Sequence, residues 1–324
     1  MRMLRGLSQG ESRRAAKKAP AVQEAFLMSD VGCERDLNED RFETVRTPHA
    51  ITWVVCDGMG GVAGGEFAAQ LAIDAIARTL SQSAPDEPNI DAVTSAFREA
   101  NRLILLRRRN AEFAGMGTTA VAVRFDGREA VVSSIGDSRA YLVRDGAVQQ
   151  LTVDDTYVQS LVDEGSLMAE DALSHPEAHV LTRCLGSEPN ASVHSERLWL
   201  WPPDDSVGND AIVLCTDGLY SLVSDAELGE IAGELPPREA CERLVSLARE
   251  RGGYDNITVA VIPFPGALRP AQPAFEVPKK AERKKGAKVR SGAGLVKHFF
   301  ILAAMAAFAA GATVAGFLAL KFLR

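Results

Sequence analysis

The chain has 324 residues, 46% of them hydrophobic and 24% charged, with a formal net charge of −7. That apolar share is ordinary for a chain with a real core, and the length allows two domains or a single large α/β or β domain of about 250 residues. The charge is uneven: residues 1–20 carry +5, residues 279–297 carry +7, and about −21 remains on residues 21–278, so no nucleic-acid partner is expected for the globular body.

Residues 1–21 form a basic, Ala-rich segment, and Met1–Pro20 has no apolar run of secretory-leader length. Folded-domain patterning runs from about Val22 to Pro263, which gives an expected domain at 22–264. Apolar residues at i, i+3 and i+4 predict helices at Gly65–Ser81 (Phe67, Leu71, Ile76, Leu80) and Ile90–Arg109 (Val93, Phe97, Leu103). From Thr118 to Leu151 the period becomes that of strands, and Asp126-Gly127 and Asp145-Gly146 predict hairpins between antiparallel neighbours. Within residues 156–190 the pattern gives a short helix at Tyr157–Glu164 and then a surface segment. Strands at Val193–Leu200 and Ala211–Thr216, helices at Asp225–Ala232 and Pro237–Arg251, and a strand at Ile257–Pro263 complete the domain. Strand clusters interleaved with helix pairs predict an α+β fold and not a βαβ repeat.

A basic linker rich in Pro, Ala and Lys follows at 265–294, including PKKAERKKGAKVR, and then Phe299–Leu320, which carries no charge. At 1.5 Å per residue this stretch is ~33 Å long, enough for a bilayer core of about 30 Å. A transmembrane helix is therefore expected at 295–321, with a short tail at 322–324. The cations before the span place the globular domain in the cytoplasm of a single-pass inner (cytoplasmic) membrane protein. Small residues at every fourth position of the span (Ala303, Ala307, Gly311, Ala315, Ala319) make a weak homodimer through it a further expectation. The five cysteines are widely spaced, odd in number and without a C-x-x-C pair. They indicate a reducing compartment and no disulfide framework.

Chemistry is concentrated in five acidic turns: SDVGCERDLNED at Ser29–Asp40, CDGMGG at Cys56–Gly61, GDSR at Gly136–Arg139, CTDG at Cys215–Gly218 and DNIT at Asp255–Thr258. Three end apolar runs (ITWVVC, AVVSSI, AIVLCT), and Asp255 precedes another, NITVAVI. Asp-Gly alone is an ordinary turn dipeptide. Carboxylates repeated at strand ends are what a fold needs to gather oxygen ligands around hard divalent cations.

In this order, SDVGCERDLNEDR, VVCDGMGG, MGTTAVAV, SSIGDSRAYLVRDG, LTRCLG, LCTDGLYSLVSD and DNITVAVI resemble the metal-dependent type 2C serine/threonine protein phosphatases in their bacterial form, over residues 22–263. The resemblance implies an α-β-β-α sandwich of two antiparallel sheets flanked by helix pairs, with the metals in a cleft at one end. It implies Mn²⁺ or Mg²⁺ as cofactor, two core ions and a third, weaker one. It also implies phosphoserine and phosphothreonine proteins as substrates, opposite a Ser/Thr kinase system. By resemblance Asp57 bridges two metals and Gly58 offers its carbonyl; Asp217 and Asp255 hold the first ion, and Glu39 and Asp40 hold the second and its waters. Asp137, with Asp217, falls on the third site. Arg35 falls on the arginine that grips the substrate phosphate, a task its planar fork suits. The unbroken carboxylate set disfavours a silent phosphoprotein-binding scaffold, and the acidic body disfavours a nuclease or phosphodiesterase. Two positions depart from the wider family: Met59 stands where eukaryotic members place a histidine, and Asp155 where many bacterial members carry one. The second departure leads into the segment beside the cleft, where different lid contacts are expected.

Overall fold

The computed structural model describes residues 24–201 and 210–270. All of them belong to the first of two units, Met1–Gln272. The expected N-terminal segment, most of the linker, the transmembrane helix and the tail lie outside the described residues. Among the described residues no helix is long and apolar enough to cross a membrane.

The chain runs through β1 (Phe26–Asp30), β2 (Asp40–Arg46) and β3 (Ile51–Met59) into helices α1 (Gly61–Ser81) and α2 (Asn89–Arg107). Strands β4 (Gly117–Thr118), β5 (Ala120–Phe125), β6 (Glu129–Ile135), β7 (Arg139–Arg144) and β8 (Ala147–Gln150) follow, then α3 (Tyr157–Asp163). The remainder is β9 (His194–Trp201), β10 (Ala211–Cys215), α4 (Asp217–Tyr220), α5 (Asp225–Glu234), α6 (Pro237–Glu250), β11 (Ile257–Pro263) and β12 (Ala267–Pro270). Both predicted hairpins form, β5–β6 and β7–β8, and every strand pair is antiparallel.

Two sheets result, ordered β1-β11-β10-β7-β8 and β12-β9-β6-β5-β3-β2, with β4 added to the end of β3. Alternation along the strands decides what each sheet covers. Val54 and Cys56 of β3 face α1 and α2, where they join Ile76, Phe97 and Ile104 in one buried cluster. Trp53 and Val55 face the other way, into a second cluster with Leu142, Ile212 and Ile262 of the opposing sheet. Val213 and Cys215 of β10 point outward again, beneath α5 and α6. Three apolar layers between four layers of structure are an α-β-β-α sandwich. The strands are buried on both faces, and for that reason they read as near-continuous apolar runs. Four of the five cysteines are buried and all are free; Cys33 is exposed.

Several details differ from the sequence expectation. Helix α1 begins at Gly61, because the glycine-rich GVAGG carries no periodic apolar mark and yet continues the helix. Strand β2 is not visible in the polar DRFETVR, where only one flank faces the core. Pairing also continues beyond residue 264, since β12 lies along β9 as an edge strand.

Candidate metal centre

All five acidic turns reach the same end of the sandwich. Antiparallel pairing sets Asp40, at the start of β2, directly opposite Asp57, near the end of β3. The turn between β6 and β7 brings Asp137 to that rim, the end of β10 delivers Asp217 as the first residue of α4, and Asp255 lies two residues before β11. The cleft so formed is about 540 Å³ and is lined by Arg35, Glu39, Asp57, Gly58, Asp137, Asp217 and Asp255. Asp40 alone of the expected set lies behind this wall, with 2% exposure. Two glycines permit the convergence. A Cβ on Gly58 would collide with the carbonyl oxygen of Gly65, and one on Gly218 with that of Asn256.

The carboxylates are under electrostatic stress. Burial, opposed in part by hydrogen bonds from Thr258 and Thr216, pushes Asp40 up to about 7. Burial and the nearby Asp217 push Asp137 up to about 8. Asp57 is raised well above the ordinary range by burial and then by Asp40 and Asp217; burial and Asp217 also raise Asp255. Asp40 Oδ1 and Asp217 Oδ1 are buried without any hydrogen-bond partner. Buried, mutually repelling carboxylates with unsatisfied oxygens fit a cation and little else. Among the described residues no three His, Cys, Asp or Glu side chains close tightly on one point. Mg²⁺ or Mn²⁺ would be held here in part through waters, since both keep several waters and take few protein ligands.

Around this set runs a scaffold of hydroxyls and amides that sequence reasoning does not single out. Thr216 and Thr258 donate to Asp40 Oδ2 at 2.9 and 2.6 Å. The Asp57 N–H donates to Thr119 Oγ1 at 3.0 Å, and Thr118 Oγ1 donates to the Asp57 carbonyl at 2.8 Å. Thr119 is fixed in turn by Ser138, 2.6 Å away. Asn256 Oδ1 accepts from Glu39 N–H at 2.7 Å, while its amide donates to the Val31 and Leu37 carbonyls. A signal exists for most of them: each of these residues except Asn256 is a hydroxyl within or beside one of the motifs. His179 gives no such signal, because it lies in the aperiodic segment after α3. It reaches the cleft with Nδ1 3.2 Å from Asp217 Oδ2, and that hydrogen bond raises its pKa above the usual 6.5. Arg35 is about half exposed at the cleft mouth, and its Nη2 donates to Asp255 Oδ2 at 2.7 Å.

Asp155 occupies a closed site behind the rim. Its Oδ2 accepts from the Gly136 N–H at 3.0 Å; its Oδ1 accepts from both Arg183 Nε, at 2.9 Å, and Arg183 Nη2, and lies 3.0 Å from His194 Nε2. One buried side chain therefore ties the turn that carries Asp137 to the stretch of chain at Thr182–Arg183, whose Thr182 N–H donates to the Asp155 carbonyl at 2.8 Å. Asp155→Ala is expected to lower stability by about 2 kcal/mol, since it leaves the buried Gly136 N–H without its acceptor and removes the carboxylate partner of Arg183. Urea unfolding of the two proteins measures it, and a difference below about 0.5 kcal/mol would show that the contact is dispensable.

The family described as Protein phosphatase 2C matches residues 34–252. The serine/threonine protein phosphatase PstP of Mycobacterium tuberculosis is 38% identical over 237 residues, 72% of this chain and 43% of the relative, so the chain spans less than half of that protein. The serine/threonine phosphatase stp of Listeria innocua is 33% identical over 248 residues, 74% of this chain and 94% of the relative. The solved M. tuberculosis phosphatase PstP/Ppp superposes with a TM-score of 0.66 at 36% identity, covering 74% of this chain and 98% of that one. The PstP catalytic domain solved with two manganese ions gives 0.62 at 35% identity, over 74% and 96%.

Proposed function

This chain belongs to the protein phosphatase 2C family, and from that premise we propose that it hydrolyses phosphoserine and phosphothreonine in proteins, with Mn²⁺ or Mg²⁺ as cofactor. The observation that carries the reading is the pair of buried, unpartnered carboxylate oxygens, Asp217 Oδ1 in the wall of the cleft where Arg35 waits and Asp40 Oδ1 behind that wall. The partner system is the set of Ser/Thr kinases whose products such an enzyme reverses. Hydrolysis of a small chromogenic phosphomonoester with Mn²⁺, compared with EDTA, tests it directly; no turnover with saturating Mn²⁺ would overturn it.

In this assignment Asp57 and the Gly58 carbonyl would be shared by two core ions. Asp217 and Asp255 would hold one, Glu39 and Asp40 would serve the other and its waters, and Asp137 with Asp217 would offer a third, weaker site. When bound, such ions polarise phosphoryl oxygens and lower the pKa of a water to about 7. Thr216 and Thr258 keep Asp40 oriented, and the Thr118–Thr119–Ser138 hydroxyls fix the backbone on both sides of the Asp57 carboxylate. Arg35 exchanges its exposed pair with Asp255 for two oxygens of the substrate phosphate, and so sets the phosphorus over the carboxylates. Arg35→Ala is expected to raise KM by roughly 10–100-fold, the worth of a charge-assisted contact, with Mn²⁺ affinity unchanged in calorimetry. An unaltered KM on a phosphopeptide would make Arg35 a surface residue.

The reading extends to a membrane tether. The uncharged stretch at Phe299–Leu320 and the basic linker before it support a single-pass anchor in the inner membrane with the catalytic domain in the cytoplasm, and the small-residue stripe supports weak pairing of two spans. Every proposed ligand precedes residue 260. Deleting 295–324 is therefore expected to move the protein from the carbonate-washed membrane pellet to the soluble fraction with turnover retained. A full chain found in the soluble fraction would refute the tether.

A further inference from the structure

Beside the metal cleft, and continuous with it through His179, lies a groove of about 660 Å³ between the segment after α3 and the α4–α5 segment. Its floor is apolar and closed: Val158, Ala178 and Val223 are each at most 9% exposed. Its rim is acidic, with exposed Glu170 on one wall and exposed Asp225 on the other. The walls offer little counter-charge: His179, at the junction with the cleft, is already paired with Asp217. Residues 153–180 contain seven Asp or Glu and no Lys or Arg, and residues 217–234 contain five and none. Among the described lining residues the one arginine is Arg139, which is already engaged. It donates to Asp154 at 2.6 and 3.0 Å and lies 3.7 Å over the Tyr220 ring.

We propose that this groove receives the stretch of substrate chain that flanks the phosphorylated residue, and that it selects basic side chains there, with an aliphatic side chain set on the floor. The inference rests on the phosphatase reading. Continuity argues for the occupant: a phosphate held at Arg35 and the carboxylates fixes the phosphoresidue at one side of His179. An extended chain rising ~3.3 Å per residue passes His179 and enters the groove within two to four residues. Charge argues for the preference. An acidic flanking segment would meet carboxylates on both walls, whereas Arg or Lys is attracted to both and is discriminated against nowhere.

The test uses the full chain with Mn²⁺ and two series of phosphothreonine peptides, identical except for Arg or Glu at positions two to four on either side of the phosphoresidue. The expected result is a kcat/KM about tenfold higher for the Arg peptides on one side, carried by KM and reduced at high salt. Glu170→Lys combined with Asp225→Lys should remove or reverse the preference while turnover of the small chromogenic ester is retained. The neutral variants Glu170→Gln and Asp225→Asn should each narrow it, and they keep the test sound if the double reversal folds poorly. Equal kcat/KM for Arg and Glu peptides that are both hydrolysed would overturn the groove and leave the activity standing. Failure of wild type to hydrolyse even the chromogenic ester would overturn the activity and the groove with it.

Discussion

Asp57→Asn is expected to reduce turnover by roughly three orders of magnitude, on the scale of losing a principal electrostatic element of the site, without loss of the fold. The backbone at this position is held independently of the side chain, by Thr119 Oγ1 on the N–H and by Thr118 Oγ1 on the carbonyl. The carboxylate itself is the part under strain, raised by burial and by Asp40, Asp217 and Asp137. An isosteric amide relieves that strain in the metal-free chain but carries no charge and has one acceptor oxygen fewer, so it cannot stand between two cations. The variant should therefore melt no lower than wild type in EDTA at neutral pH and should bind fewer ions in Mn²⁺ calorimetry. Activity within about tenfold of wild type would remove Asp57 from its proposed place.

The second large effect is a pH dependence of stability that metal reverses. Asp40 and Asp137 rise from 3.8 to about 7 and about 8 on folding, and Asp57 and Asp255 rise as well. Below about pH 4 these groups are protonated in both the folded and unfolded chains. Between pH 4 and 8 the folded chain holds protons that the unfolded chain has released, so stability falls as pH rises through this window. The loss should appear as a steady fall in melting temperature up to pH 8, since each tenfold difference in proton affinity between folded and unfolded chains is worth about 1.4 kcal/mol. Bound Mn²⁺ takes over the role of those protons. In saturating metal the carboxylates ionise without penalty, and the slope should flatten or change sign. Thermal melts from pH 5 to 8, in EDTA and in Mn²⁺, measure both slopes; an EDTA series with stability rising toward pH 8 would refute the account.

The sequence alone determined the layers and the chemical inventory. Apolar runs such as ITWVVC and AIVLCT, interrupted by turn dipeptides, define strands buried on both faces, and the 3.6-residue period of α1, α2, α5 and α6 defines the helices that cover them. The acidic turns could be read because each combines residue types that rarely serve any purpose but metal or turn chemistry, and because their order resembled one family. What stayed hidden has a common cause: it depends on contacts between segments far apart in the chain. Asp40 and Asp57 are a pair only through the β2–β3 register. Thr216 and Thr258 serve Asp40 across separations of 176 and 218 residues, and no local period records such a bond. Strand β2 is polar because only part of it meets the core, so its pairing is decided by its neighbour. His179 and Asp155 sit in aperiodic chain, and each acquires a role only when the segment after α3 folds back on the rim, where Asp155 meets Arg183 and Gly136 and His179 meets Asp217. Sequence specified which groups are present and on which elements; the packing of the two sheets decided which of them touch, because local composition sets burial while only closure of the sandwich sets distance.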